Sequence, residues 1–451
     1  MVLKRNKLFF LFFVILLWIF SSAQSQEENK YFIMKNGMKI FLQERHSLPL
    51  VNIVTAVNAG SKNENDNNNG LSHLLEHLIL FRGTEYRTGQ QIGEDIRRYG
   101  AYFNAHTGLD LTTFEISVPS EYIDFALKNQ KEILFNLKLS EEEVENEKKI
   151  IIEEINDNLD DPKKYATSIL FQELFKDHPY MNPAYGKKEI IENVNLEQIE
   201  QFYNKYFRSD NCAMTIIGDF NLSQVEEKVR GLFENVITEK SPSEKFEIAQ
   251  LLKKDVQIEK EMDVNQCYLV VGMVGPDFNH PDQYAMDVLT RIIGSGFNPR
   301  LAEFLRGRNI ILNSISMDYI SNKYGGAIII HITLEQKYLR RAIREIINFL
   351  KQAKEAKYSL QDYLPEEQMN VIDYLESAKN RIKLDFQHAQ ETALSIARAI
   401  AQFLILNEDE SRGNYIENIS KITTSGLRKV SDKYFNQGKF VIVSITPKKK
   451  E

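Results

Sequence analysis

The chain has little of what would tie it to several common protein classes. Only two cysteines, Cys212 and Cys267, stand among its 451 residues. Each lies in its own apolar, strand-like run, so both read as core thiols and no disulfide framework is available. No basic block occurs before Lys448 to Lys450, and the formal net charge is −7. That balance argues against a nucleic-acid binder. The one tryptophan, Trp18, sits in the longest apolar run, Leu8 to Phe20, which has 13 residues. Such a run is short of the roughly 20 residues that a membrane helix needs.

That run reads instead as the core of a targeting segment. Lys4, Arg5 and Lys7 precede it, and Ser21, Ser22 and Ala23 follow it with the small side chains a signal peptidase accepts. Cleavage after Ala23 removes three positive charges and takes the formal charge from −7 to −10. The expectation is export, to the periplasm or outside the cell, with no stable membrane span after cleavage. An uncleaved anchor is the rival reading.

The informative stretch is GLSHLLEHLILFRGT, residues 70 to 84. On a helix His73 and His77 leave the same face one turn apart. Two such imidazoles can hold one zinc ion, and Glu76 lies near enough to take a proton from water activated there. The order His-x-x-Glu-His is the inverse of the common zinc-peptidase motif. A His pair at this spacing also arises on ordinary solvated helices, so a further ligand is needed. Ser140 with Glu143 forms a capping box that opens a helix. Along that helix Glu147 and Glu154 are two turns apart on one face, beside Ile150, Ile151, Ile152 and Ile155. A plain acidic surface helix is the competing explanation, since Glu is a good helix former.

Taken together these motifs resemble the inverzincin family of pitrilysin, insulinase and the mitochondrial processing peptidase. The resemblance extends through AGSKNENDNNNG, FRGT, FNAHTGLDLTTF, HPYMNPAYGKKE and the KYF…GDF segment into the C-terminal half. It implies zinc as the cofactor, with His73, His77 and Glu154 as metal ligands, Glu76 as the catalytic base and Glu147 in support. Glu153 is the weaker ligand candidate because it lacks a carboxylate seven residues upstream. FNAHT would lie on a sheet edge that accepts an extended peptide as a further strand, with Asn104 placed to hold a substrate carbonyl. A bend-forming Asn is the alternative.

The resemblance implies an α+β fold of two related domains, each a mostly antiparallel sheet packed with helices. The expected plan is a signal peptide over 1–23 and a disordered linker over 24–30. A zinc-bearing peptidase domain over 31–240, a linker over 241–252 and a metal-free domain over 253–451 follow. Faint repeats, such as Lys205-Tyr206-Phe207 and Lys433-Tyr434-Phe435 ahead of strand-like runs, suggest a duplication. Relatives often hold the substrate carbonyl with an Arg and a Tyr seven apart. Here Arg306 takes the first position and Asn313 the second, where an amide is a poorer partner for an oxyanion. The expected activity is therefore a zinc endopeptidase or oligopeptidase, as a homodimer or paired with a related zinc-less subunit. A non-catalytic scaffold subunit, or a catalytic half inactive alone, is the alternative.

Overall fold

The computed structural model describes residues 28–236, 244–294, 299–362, 373–407 and 415–448. The expected signal peptide, residues 24–27 of the expected linker, and the boundary at Ser241 to Ser243 lie outside the described residues.

Two sheets organise the chain. The first comprises β1 (Asn29–Ile33), β2 (Lys39–Glu44), β3 (Leu50–Val57), β4 (Tyr102–Thr107), β5 (Thr112–Pro119) and β6 (Cys212–Gly218), in the order β1-β2-β6-β3-β5-β4. The second comprises β7 (Val256–Met262), β8 (Cys267–Gly275), β9 (Leu312–Asn322), β10 (Gly325–Leu334) and β11 (Val441–Pro447), in the order β7-β11-β8-β10-β9. Without β1 the two orders match strand for strand. Each has one parallel pair, β2 with β6 and β7 with β11, and antiparallel pairing elsewhere. This is an α+β fold of two related sheets, and the matching topology is what a duplication leaves behind.

Residues 28–30, expected to be unstructured, are a correction. β1 already begins at Asn29, where Asn29 to Ile33 pair with Gln43 to Lys39 of β2. The polar start hides the strand because β1 is the sheet edge and its side chains are mostly exposed. Cys212 and Cys267 are both free and buried, in β6 and β8. Among the described residues no helix is long and apolar enough to cross a membrane.

The helices that matter for the site are α1 (Leu71–Phe81), α2 (Glu141–Asp160), α3 (Pro162–Leu174), α4 (Gln283–Gly294), α5 (Tyr374–Ala389) and α6 (Ala393–Leu406). α2 starts at the expected capping box, with Glu143 Oε2 accepting from Ser140 N at 2.9 Å. Only Ile151 and Ile155 of its isoleucines are buried, and Ile150 is exposed. Three consecutive residues, Ile150 to Ile152, cannot all face one side of a 3.6-residue helix.

Each half lends a helix to the other. α3, from the first half, lies on the second sheet, where Ala166, Ile169 and Leu170 join Val270, Ile329 and Val443 in one cluster. α6, from the second half, lies on the first sheet, where Ala397, Ala401 and Ile405 join Val54, Ala56 and Ile217. Arg398 of α6 reaches across to the buried Glu115 of β5, NH2 to Oε1 at 2.6 Å.

Candidate metal centre

α1 is apolar on most of its surface and is buried between the first sheet and α2, with Leu71, Leu74, Leu75, Leu78 and Ile79 in the core. Its N-cap, Gly70, has φ of 108° and no side chain to cap the helix. Glu64 does that work from the preceding loop. Its carboxylate accepts from Gly70 N at 2.8 Å, Ser72 N at 2.7 Å and Asn69 Nδ2 at 2.8 Å. This meets the helix's orphan N–H groups and places negative charge at its positive end. Burial still pushes the Glu64 carboxyl up to about 7. A Cβ at position 70 would sit 2.9 Å from the backbone Cα of Gly186, so glycine is required by space as well as by φ.

From this anchored helix His73 and His77 project together, their ring centroids 4.8 Å apart. Ligand atoms of His73, Glu76 and His77 all lie within 4.8 Å of one another. Glu154 arrives from α2. Its Oε2 is 3.6 Å from Nε2 of His73 and 3.6 Å from Nε2 of His77. Ligand atoms about 2.0–2.2 Å from a tetrahedral zinc stand about 3.3–3.6 Å apart. Both imidazole–carboxylate separations match that spacing, and three such donors would leave one tetrahedral position open. Glu153, the other candidate on α2, is exposed and makes no ion pair with either imidazole.

Glu147, two turns before Glu154, is only 1% exposed. Its Oε1 is 3.0 Å from His77 Nδ1, and its Oε2 accepts from Arg82 Nε at 2.7 Å. Glu154 differs, with 44% of its side chain exposed, so only one of the two glutamates is fully inside. Burial tends to raise the Glu147 pKa, but the imidazole and guanidinium beside it hold it below the usual carboxylate range. Burial lowers the His77 pKa, yet Glu147, Glu154 and Glu76 together raise it above the ordinary value. His73 is pushed down to about 4 by burial and by the neighbouring His77. That keeps it neutral, as a metal ligand must be. Glu76 is raised, mainly by burial, while the Thr107 hydroxyl and the imidazoles pull the other way.

β4 is the last strand of its sheet, so the FNAHT segment does lie on an edge. Asn104 is exposed there and donates from Nδ2 to the Tyr102 hydroxyl at 3.1 Å. His106 is close enough for its charge to act on His73 and Glu76. Arg306 is exposed on the helix Arg300–Gly307 of the second half, and Asn313 donates to Gln266 Oε1 at 2.6 Å. Neither makes a hydrogen bond or ion pair with the cluster.

Arg82, Glu64 and Thr107 were not singled out by sequence reasoning. Each falls inside a motif quoted above, but a side-chain partner 65 residues away, as for Arg82 and Glu147, leaves no local signal.

The chain is similar to known proteins along both of its halves. The family model described as insulinase (peptidase family M16) matches residues 39–188, and the one described as peptidase M16 inactive domain matches residues 193–364. An uncharacterized zinc protease of Rickettsia bellii is 27% identical over 413 residues, 89% of this chain and 94% of that protein. The zinc protease PqqE of Helicobacter pylori is 24% identical over 426 residues, 92% of each chain. The crystal structure of a protease from Helicobacter pylori has a TM-score of 0.83 at 22% identity, covering 93% of this chain and 100% of that one, a likeness of fold. With the inverted His-x-x-Glu-His helix, its facing glutamates and matches along both halves, the chain belongs to the pitrilysin/insulinase family of metallopeptidases, family M16.

Proposed function

We propose that the chain is a zinc-dependent endopeptidase or oligopeptidase that hydrolyses extended peptides. The observation that carries this reading is the single Glu154 oxygen equidistant, at 3.6 Å, from the two imidazole Nε2 atoms. His73, His77 and Glu154 are the residues that would hold the ion, and an N, N, O donor set suits zinc. When bound, zinc supplies Lewis acidity, polarising a peptide carbonyl and making nearby water more acidic.

Glu76 is the general base. Its buried carboxylate takes a proton from the attacking water and delivers it to the leaving amine. A raised pKa suits both steps, because the group must hold the proton between them. Glu147 keeps His77 oriented from behind. The exposed edge of β4 offers backbone hydrogen bonds to any extended chain, and Asn104 on that edge is the candidate contact for a substrate carbonyl. Arg306 is the candidate for a second carbonyl contact. With Asn313 at the neighbouring position, a homodimer or a zinc-less partner subunit is the other source of that contact. We place the activity beyond the cytoplasmic membrane, after loss of residues 1 to 23.

Glu76→Gln separates this enzyme from a scaffold that merely resembles one. The variant should keep its zinc, counted by metal analysis, and lose hydrolysis of a peptide mixture by at least about 100-fold. Cleavage at the normal rate would overturn the base assignment. Assaying the purified chain alone, then with the product of a neighbouring gene, tests the heterodimer alternative.

A further inference from the structure

Arg82 is the residue on which α1 ends. Its backbone N–H still donates to Leu78 O at 2.9 Å, and the chain then turns so tightly that a Cβ on Gly89 would sit 2.2 Å from Phe81 O. The side chain is thereby sent back along the helix toward α2. Both Nε, at 2.7 Å, and a terminal nitrogen meet Glu147 Oε2. The other carboxylate oxygen, Oε1, is left to accept from His77 Nδ1 at 3.0 Å. On the far side of the same ring, Nε2 faces Glu154 Oε2 at 3.6 Å.

We infer that Arg82 is a positioning residue for the metal site, acting on His77 through Glu147; the inference rests on the zinc reading above. A carboxylate 1% exposed needs a counter-charge, and the fork of a guanidinium fixes its rotation as well as its charge. With Oε2 held by Arg82, Oε1 points at Nδ1. A proton on Nδ1 leaves the Nε2 lone pair free for a metal. Without Arg82 the carboxylate is free to turn, and the imidazole is no longer held in the metal-binding tautomer and orientation. His77 itself is not altered by any such change, so the effect must pass through Glu147.

The test is a cycle of Arg82→Gln, Glu147→Gln and the double variant in the full chain, measuring Zn2+ affinity by competition with a chelator. Arg82→Gln should weaken zinc binding by about 10- to 100-fold, the range for outer-shell partners. The double variant should be no weaker than Glu147→Gln alone. Arg82→Lys, which keeps the charge but not the fork, should fall between wild type and Arg82→Gln. Wild-type affinity in a folded Arg82→Gln protein, or losses that multiply in the double variant, would overturn the inference. If the glutamine variant does not fold, the same cycle run with Arg82→Lys decides by the same non-additivity. A wild-type chain that binds no zinc would instead sink the reading beneath it.

Discussion

In each half a central strand leads into a helix that lies on the sheet and carries three polar residues spaced three and four apart. On α1 these are His73, Glu76 and His77. On α4 they are Asp287, Thr290 and Arg291. A later helix of each half also contributes an acid, Glu154 of α2 in one and Asp385 of α5 in the other. In the first half the polar groups are imidazoles and carboxylates converging on a point. In the second, Arg291 NH2 meets Asp385 Oδ2 at 2.7 Å, and Asp287 accepts from the Tyr415 hydroxyl at 2.9 Å. A guanidinium has no lone pair to give a metal and neutralises the acid that might have served. The same scaffold therefore presents a ligand set on one side and a self-compensated cluster on the other. Where polar groups can gather is set by the fold; what they can do is set by side-chain identity.

The sharpest way to break this comparison is to change the facing acid in each half. Glu154→Gln should weaken zinc binding by more than the roughly 10- to 100-fold typical of outer-shell partners, and hydrolysis should fall with it. Asp385→Asn should leave both unchanged and cost at most about 1 kcal/mol, because its ion pair is about one-third exposed. Metal analysis and a peptide assay on the two variants check this. Normal zinc content in Glu154→Gln would move the ligand elsewhere in the cluster.

The exchanged helices offer a comparison of packing. Leu170 of α3 is fully buried, and a Cβ on Gly272 of β8 would lie 2.7 Å from its Cδ2. Leu170→Ala should cost about 2–5 kcal/mol, read by denaturant unfolding. Arg398→Ala on α6 leaves the buried Glu115 with only the Tyr102 hydroxyl, at 3.2 Å, as a side-chain donor, but it removes an arginine that is 40% exposed. Its expected cost is smaller, about 1–3 kcal/mol. If either variant unfolds one sheet without the other, the view that the helices bind the halves into one cooperative unit fails.

How far these features can be read in advance differs by kind. Strands β2 and β6 appear in the residues at their true limits, because a short apolar run ends on a turn or loop at each side. α2 is announced by its capping box, and α1 by its spacing. The partner of a helix is another matter. The periodicity of α3 and α6 predicts an apolar stripe on each but cannot say that the stripe covers the other half's sheet. The pairing of Arg82 with Glu147 is hidden for the same reason, since it depends on how two helices cross. The metal cluster is legible only where the chemistry demands unusual residues, and its supporting contacts are ordinary residues put to use by tertiary structure.

The mildest test concerns the second half alone. Burial raises the Asp287 carboxyl from the ordinary range to about 7, against the Tyr415 hydrogen bond and Arg291. In the unfolded chain the same group ionises near pH 4. As pH rises from about 4 to 7 the unfolded state loses this proton first, so stability should fall through that window and level off above it. Such a shift corresponds to at most about 4 kcal/mol, and the open cleft that Asp287 lines with Arg291, Asp385 and Tyr415 admits solvent and reduces this to about 1–3 kcal/mol. Asp287→Asn should remove that loss. Thermal melts of the metal-free protein between pH 4 and 8 should then show a flatter profile than wild type, with the variant gaining most at pH 8. Glu64, also raised to about 7 but in the half with the proposed metal site, keeps its own contribution in this variant. A wild-type slope unchanged by Asp287→Asn would take the pH dependence away from this cluster and leave Glu64, the buried acid that caps α1, as its leading source.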